Sequence, residues 1–121
     1  MIAVAVLLAA AAADPIAGTW EGTSLCQVKP SPCHDEHVVY RVASIAPATY
    51  RFEAFKLVEG KEEFMATIDL TFTPARQALD GTVGGPRGTA HVRMSLKNKH
   101  LSGSMTLADG TLYRLIEVDK R

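Results

Sequence analysis

Phe64-Met65-Ala66-Thr67-Ile68-Asp69-Leu70-Thr71-Phe72-Thr73 is the stretch that decides the fold class. Phe64, Ala66, Ile68, Leu70 and Phe72 fall on one face of an extended chain, and Met65, Thr67, Asp69, Thr71 and Thr73 on the other. A period of two with one apolar face is the signature of a half-buried β-strand, and Pro74 stops it.

The same pattern spreads in both directions. Upstream, Glu59-Gly60-Lys61 supplies a turn. Before it, Tyr50, Phe52 and Ala54 alternate, but the apolar set then jumps phase to Phe55 and Leu57, which predicts a bulge or sharp bend. Further back, Ala46-Pro47 marks a turn, and Val38, Tyr40 and Val42 form the inward set of an earlier strand. Downstream, Ala75–Leu79 is the one place where a helical turn fits, and Asp80-Gly81 predicts a hairpin into a short strand at Thr82-Val83. Gly84-Gly85-Pro86 ends that strand, and Ala90, Val92, Met94 and Leu96 begin the next inward set. Asn98-Lys99 turns the chain into Leu101, Gly103, Met105 and Leu107, and Asp109-Gly110 turns it again into a last strand over Thr111–Val118. The charged Asp119-Lys120-Arg121 tail is expected to fray. About eight strands at regular spacing with tight turns predict an all-β protein, an antiparallel up-and-down barrel, with residues 14–121 as a single domain.

With 121 residues and 13 basic against 13 acidic side chains, the chain has no net charge and no electrostatic footprint for nucleic acid. Residues 1–13 are apolar throughout and rich in alanine before meeting Asp14-Pro15, which reads as a secretory signal peptide cleaved after Ala13. The run is shorter than the ~20 residues that span a bilayer, so no membrane span is expected after cleavage. A charged n-region is missing, so a true start upstream or a misassigned start codon is expected. The expected location is periplasmic or secreted.

In an oxidising compartment, Cys26 and Cys33 are expected to form a disulfide that closes a short loop. Loop-closure entropy for so small a ring is about 2–3 kcal/mol, enough to pin a loop but not to carry a fold. The competing reading, zinc held with His34 and His37, meets a cysteine spacing wider than usual for such sites, so no metal is expected. Asp35-Glu36 are adjacent at a strand start and diverge onto opposite faces, which suits turn capping or pairing with an arginine such as Arg41 rather than carboxylate catalysis. No nucleophile elbow, phosphate loop or H-E-x-x-H motif is present. No catalytic residue and no cofactor are expected, and a non-enzymatic role follows. His91 and His100 are expected to be solvated.

In the last strand Leu112, Arg114, Ile116 and Val118 share the more apolar face, which turns Arg114 inward. An inward guanidinium needs a cover, and the single indole, Trp20 in Gly18-Thr19-Trp20, suits it. A G-x-W at the first strand and an arginine on the last resemble the calycin signature of lipocalins and avidins, as a small exported bacterial barrel. The resemblance implies a lipocalin-like barrel closed at one end by Trp20 and Arg114, with at most a ligand-holding habit. The chain lacks the T-D-Y motif and flanking helix of lipocalins, and with Trp20 alone it lacks the several tryptophans of a biotin site. A small apolar ligand is then expected at the other end, among Tyr40, Phe52, Phe64, Ile68 and Met94. The alternative is a protein partner, as for a periplasmic protease inhibitor that inserts its N-terminal segment, here Asp14-Pro15-Ile16-Ala17.

Overall fold

The computed structural model describes residues 14–28, 32–85 and 88–121. The predicted signal peptide, Pro30 and Pro86 lie outside the described residues. Eight strands follow one another: β1 (Gly18–Cys26), β2 (Glu36–Ala46), β3 (Thr49–Val58), β4 (Lys61–Thr73), β5 (Ala78–Gly85), β6 (Gly88–Lys97), β7 (His100–Leu107) and β8 (Leu112–Lys120). Each pairs antiparallel with the next, and β8 returns to β1, so the sheet closes into an eight-stranded up-and-down barrel.

The alternation expected from the sequence sets the faces. In β6, Ala90, Val92, Met94 and Leu96 are buried while the residues between them are exposed. Val38, Tyr40 and Val42 of β2 and Tyr50, Phe52 and Ala54 of β3 likewise point into one core. β3 itself carries no bulge at its phase jump; the extra residue lies in the facing strand, where Ala54 pairs with Ala66 but Phe55 with Phe64, leaving Met65 of β4 unpaired in the register. That extra residue reverses the β4 pattern above it. Phe64, expected inside, lies outside at 59% exposure, its ring 5.7 Å from Phe55 in an edge-to-face pair.

Four further expectations are corrected. Asp80-Gly81 makes no hairpin; it sits within β5, and the reversal is made before it by a 3₁₀ turn at Pro74–Arg76 and by Gln77 at φ 49°. Gly81 is needed for close approach, since a Cβ there would stand 2.5 Å from the Asp69 carbonyl oxygen. The tail does not fray: β8 runs to Lys120, and the Arg121 amide donates to the Thr19 carbonyl at 2.9 Å. Leu112 faces solvent, because the β7–β8 register shifts between Met105 and Thr106. Finally, Trp20 and Arg114 do not meet. Closure places Trp20 opposite Lys120 and Arg114 opposite Cys26, six positions or roughly 20 Å apart along β1.

Trp20 still closes one end, with different partners. The 14–17 segment folds under the barrel, where Ile16 is fully buried and its carbonyl accepts the Trp20 indole N–H at 2.8 Å. The Asp14 carboxylate accepts the amides of Ile16 and Ala17 and the Tyr50 hydroxyl at 2.8–2.9 Å. Lys120 Nζ donates to the Asp14 carbonyl at 2.9 Å and lies 5.8 Å from the Trp20 ring. Burial pushes the Asp14 carboxyl up, but the two amides, Tyr50 and Lys120 together hold it below its usual value.

Candidate functional site: a cavity at the open end

Ile16, Trp20, Leu79, Leu101 and Val118 pack the closed half. The interior beyond them is not filled. A cavity of about 360 Å³ lies toward the other end, among Tyr40, Phe52, Ile68, Leu70, Met94 and Ile116. An eight-stranded barrel is just wide enough to be filled by side chains or to hold one small molecule, and here small residues leave the space. Ala54, Ala66 and Ala90 supply it, together with Gly84, Gly85 and Gly88 at the β5–β6 turn. The volume is at the lower end of the range for small-molecule pockets.

The wall is also incomplete on one side. β4 and β5 pair over three residues only, Thr71–Thr73 with Ala78–Asp80. Among the described residues they share no pair beyond that toward the mouth, and Met65, Ala66 and Val83 line the cavity where they part.

Polar side chains interrupt the apolar lining at Ser24, Glu36, Tyr40, Tyr113 and Arg114. Arg114 is buried, and its Nη2 stands 2.6 Å from Glu36 Oε1. Its Nη1 donates to the Ser24 carbonyl and hydroxyl and to the His34 carbonyl at 3.1–3.2 Å. Its guanidinium also lies 5.3 Å from the Tyr113 ring. Tyr40 sits nearby, its phenol pushed up chiefly by burial and further by the Glu36 charge, against the opposing pull of Arg114, so that it stays protonated.

Of the residues expected to line a site, Tyr40, Phe52, Ile68 and Met94 surround this cavity, and Phe64 does not. Glu36, Arg114 and Met65 enter the lining without having been foreseen there. An inward arginine was legible in the strand pattern; its carboxylate partner was not, because Glu36 reaches it across β1. Asp35 accepts the Cys26 amide at 2.8 Å, the capping role expected of that loop. Arg41 pairs with Glu62 rather than with Glu36.

Cys26 and Cys33 are bonded to each other, with Cα atoms 5.9 Å apart, so neither thiolate is free for zinc. His37, His91 and His100 lie at the surface but are not merely solvated. His37 contacts Glu21 at 2.7 Å, His91 contacts Asp80 at 3.3 Å, and His100 lies between Asp119 at 2.7 Å and Glu117.

No protein-family model matches the sequence, and no curated protein matches it. The assignment therefore rests on the barrel and its cavity.

Proposed function

We propose that the protein is an exported, non-enzymatic barrel of lipocalin-like type that holds one small apolar molecule in its open half. The cavity carries this reading: its lining is apolar over most of its area, it lies beyond a floor sealed by Ile16 and Trp20, and it meets the parted edges of β4 and β5. Export is supported by the Cys26–Cys33 disulfide and by the apolar run at residues 1–13. No helix among the described residues is long and apolar enough to cross a membrane.

Native mass spectrometry of protein purified from its own host tests the reading directly. A copurified apolar molecule is expected, and Ala66→Trp at the cavity mouth is expected to lose it while keeping the fold. Protein that carries nothing, and whose methyl resonances at Met94 and Met105 stay fixed on adding short-chain amphiphiles, would sink it.

A second reading, a module that binds another protein, is favoured by apolar side chains left outside at the same end. Val58, Phe64, Leu25 and Leu115 are all exposed, and the last two are cross-strand neighbours. The segment 14–17 is a poor probe for a partner, since Ile16 is buried in the floor. Loss of a pulled-down partner on Phe64→Ser or Leu115→Ser, with ligand content unchanged, would favour this second reading.

A further inference from the structure

We propose that Met65 is an oxidation site at the mouth of the cavity, where a peroxide turns its thioether into a sulfoxide and so weakens the hold on an apolar molecule inside. This rests on the apolar-ligand reading above and adds a control to it.

The placement of the methionines carries the inference. Met65, Met94 and Met105 are the methionines among the described residues, and all three line the same cavity. They differ in access. Met94 is 2% exposed and belongs to the core, where a thioether serves as a flexible apolar filler. Met105 is partly buried against that core. Met65 is 37% exposed. It is also the residue of β4 left unpaired against β3, and an extra residue of this kind re-aims the side chain at its position. Beside it β4 and β5 have parted: their shared ladder ends at Thr71 and Asp80, and on the β5 side a Cβ at Gly84 would meet nothing within 4 Å. A small oxidant in water reaches Met65 directly, and reaches Met94 only through the cavity.

The chemistry is an oxygen transfer. A sulfur lone pair attacks one oxygen of hydrogen peroxide, the S–O bond forms as the O–O bond breaks, and the departing oxygen takes the proton of the transferred one and leaves as water. The sulfur is oxidised and the peroxide reduced. An apolar side chain thus becomes polar, with an oxygen that needs hydrogen-bond donors. Water supplies them while the cavity is empty. An apolar molecule seated against Met65, Ala66 and Val83 displaces that water without replacing its hydrogen bonds, so affinity falls. Methionine sulfoxide reductases reverse the modification.

The test treats the folded protein with hydrogen peroxide. Peptide mass spectrometry follows the modified positions, and calorimetry follows the binding of 1-octanol. The sulfoxide of Met65 is expected to form at least about tenfold faster than that of Met94. Octanol affinity is expected to fall by at least about fivefold as Met65 is modified, and to return after treatment with methionine sulfoxide reductase. Met65→Leu, whatever its own starting affinity, is expected to keep that affinity through the same exposure to peroxide. Met94 modified as fast as Met65, or protein fully oxidised at Met65 that holds octanol as tightly as before, overturns the inference while leaving the apolar-ligand reading intact. So does a Met65→Leu variant that loses affinity as wild type does. Untreated wild type that binds no octanol counts against the apolar-ligand reading itself, and the control falls with it.

Discussion

The Trp20 indole N–H donates to the main-chain carbonyl of Ile16, 2.8 Å away, and through it the chain preceding the first strand becomes the floor of the barrel. The hydrogen bond spans only four positions of sequence, yet it holds the buried Ile16 beneath the strands. The segment that the inhibitor alternative would insert into a partner is thereby part of the core.

Truncating that floor is costly. Trp20→Ala is expected to lower unfolding free energy by about 3–5 kcal/mol, the range for removing a large buried aromatic. Trp20→Phe retains most of the ring volume and leaves the Ile16 carbonyl without its donor, for a loss of about 1–3 kcal/mol. Urea denaturation with matched m-values separates the two. A Trp20→Ala variant as stable as wild type would refute the floor assignment.

The Arg114–Glu36 pair answers differently to single and double replacement. Arg114→Met strands a buried carboxylate and is expected to destabilise by about 3–5 kcal/mol, whereas Arg114→Met/Glu36→Leu recovers most of that loss. Equal destabilisation by the single and double variants, measured in a double-mutant cycle, would show that the two side chains act independently.

Removing the disulfide should be survivable. Cys26→Ser/Cys33→Ser opens a ring with a sequence separation of 7, worth about 2–3 kcal/mol by loop-closure entropy. The barrel's circular dichroism is expected to persist, with a lower melting temperature and less order in the loop that places His34 and Asp35. Complete unfolding of the double serine variant at room temperature would mean that the loop carries far more of the fold than its ring size allows.

Stability should depend on pH through His100. Its hydrogen bonds to Asp119 and then Glu117 raise its native-state pKa. The stabilisation is therefore fully present below its unfolded value of about 6.5 and is lost as pH rises through the raised native value. Glu117, held low by Ser102 and His100, adds stability above the unfolded carboxylate range that is lost as pH falls through its native value. His100→Gln is thus expected to cost most near pH 5–6 and progressively less above neutrality. Because the imidazole is 39% exposed, the effect belongs to the surface range of about 0.2–1 kcal/mol. A pH-independent difference between wild type and variant would remove His100 from this account.

Hydrogen exchange should find the parted seam. In β4 the amides turned toward β3 are expected to be protected, and those turned toward β5 between Lys61 and Leu70 to exchange much faster, as are the β5 amides on that edge. Uniform protection across β4 and β5 would indicate that the wall is closed in solution.

The barrel itself was legible in the chain, because alternation at a period of two is a local property. The β4 and β6 runs and the turns at Gly60 and Asn98 announce strands and hairpins without knowledge of their neighbours. The jump in phase along Ala54-Phe55 falls beside the irregularity, but the extra residue lies in β4 and not in β3. The direction of its effect was not readable, since either partner strand can take the extra residue; that β4 took it is why Phe64 left the interior. The Asp80-Gly81 pair likewise carries a turn signal that packing against Asp69 and Leu70 overrides.

By itself the sequence determined which residues form strands, which of their faces are apolar, and that Arg114 and Trp20 point inward. It did not determine which of these meet. Strand pairing at closure joins residues about a hundred positions apart, and its register depends on the stagger accumulated through every hairpin around the ring. That register set Lys120 beside Trp20 and carried Arg114 to the other end, opposite Cys26, where Glu36 matches its charge. The tertiary structure thus decided both where the barrel is sealed and what stands in the wall of its cavity.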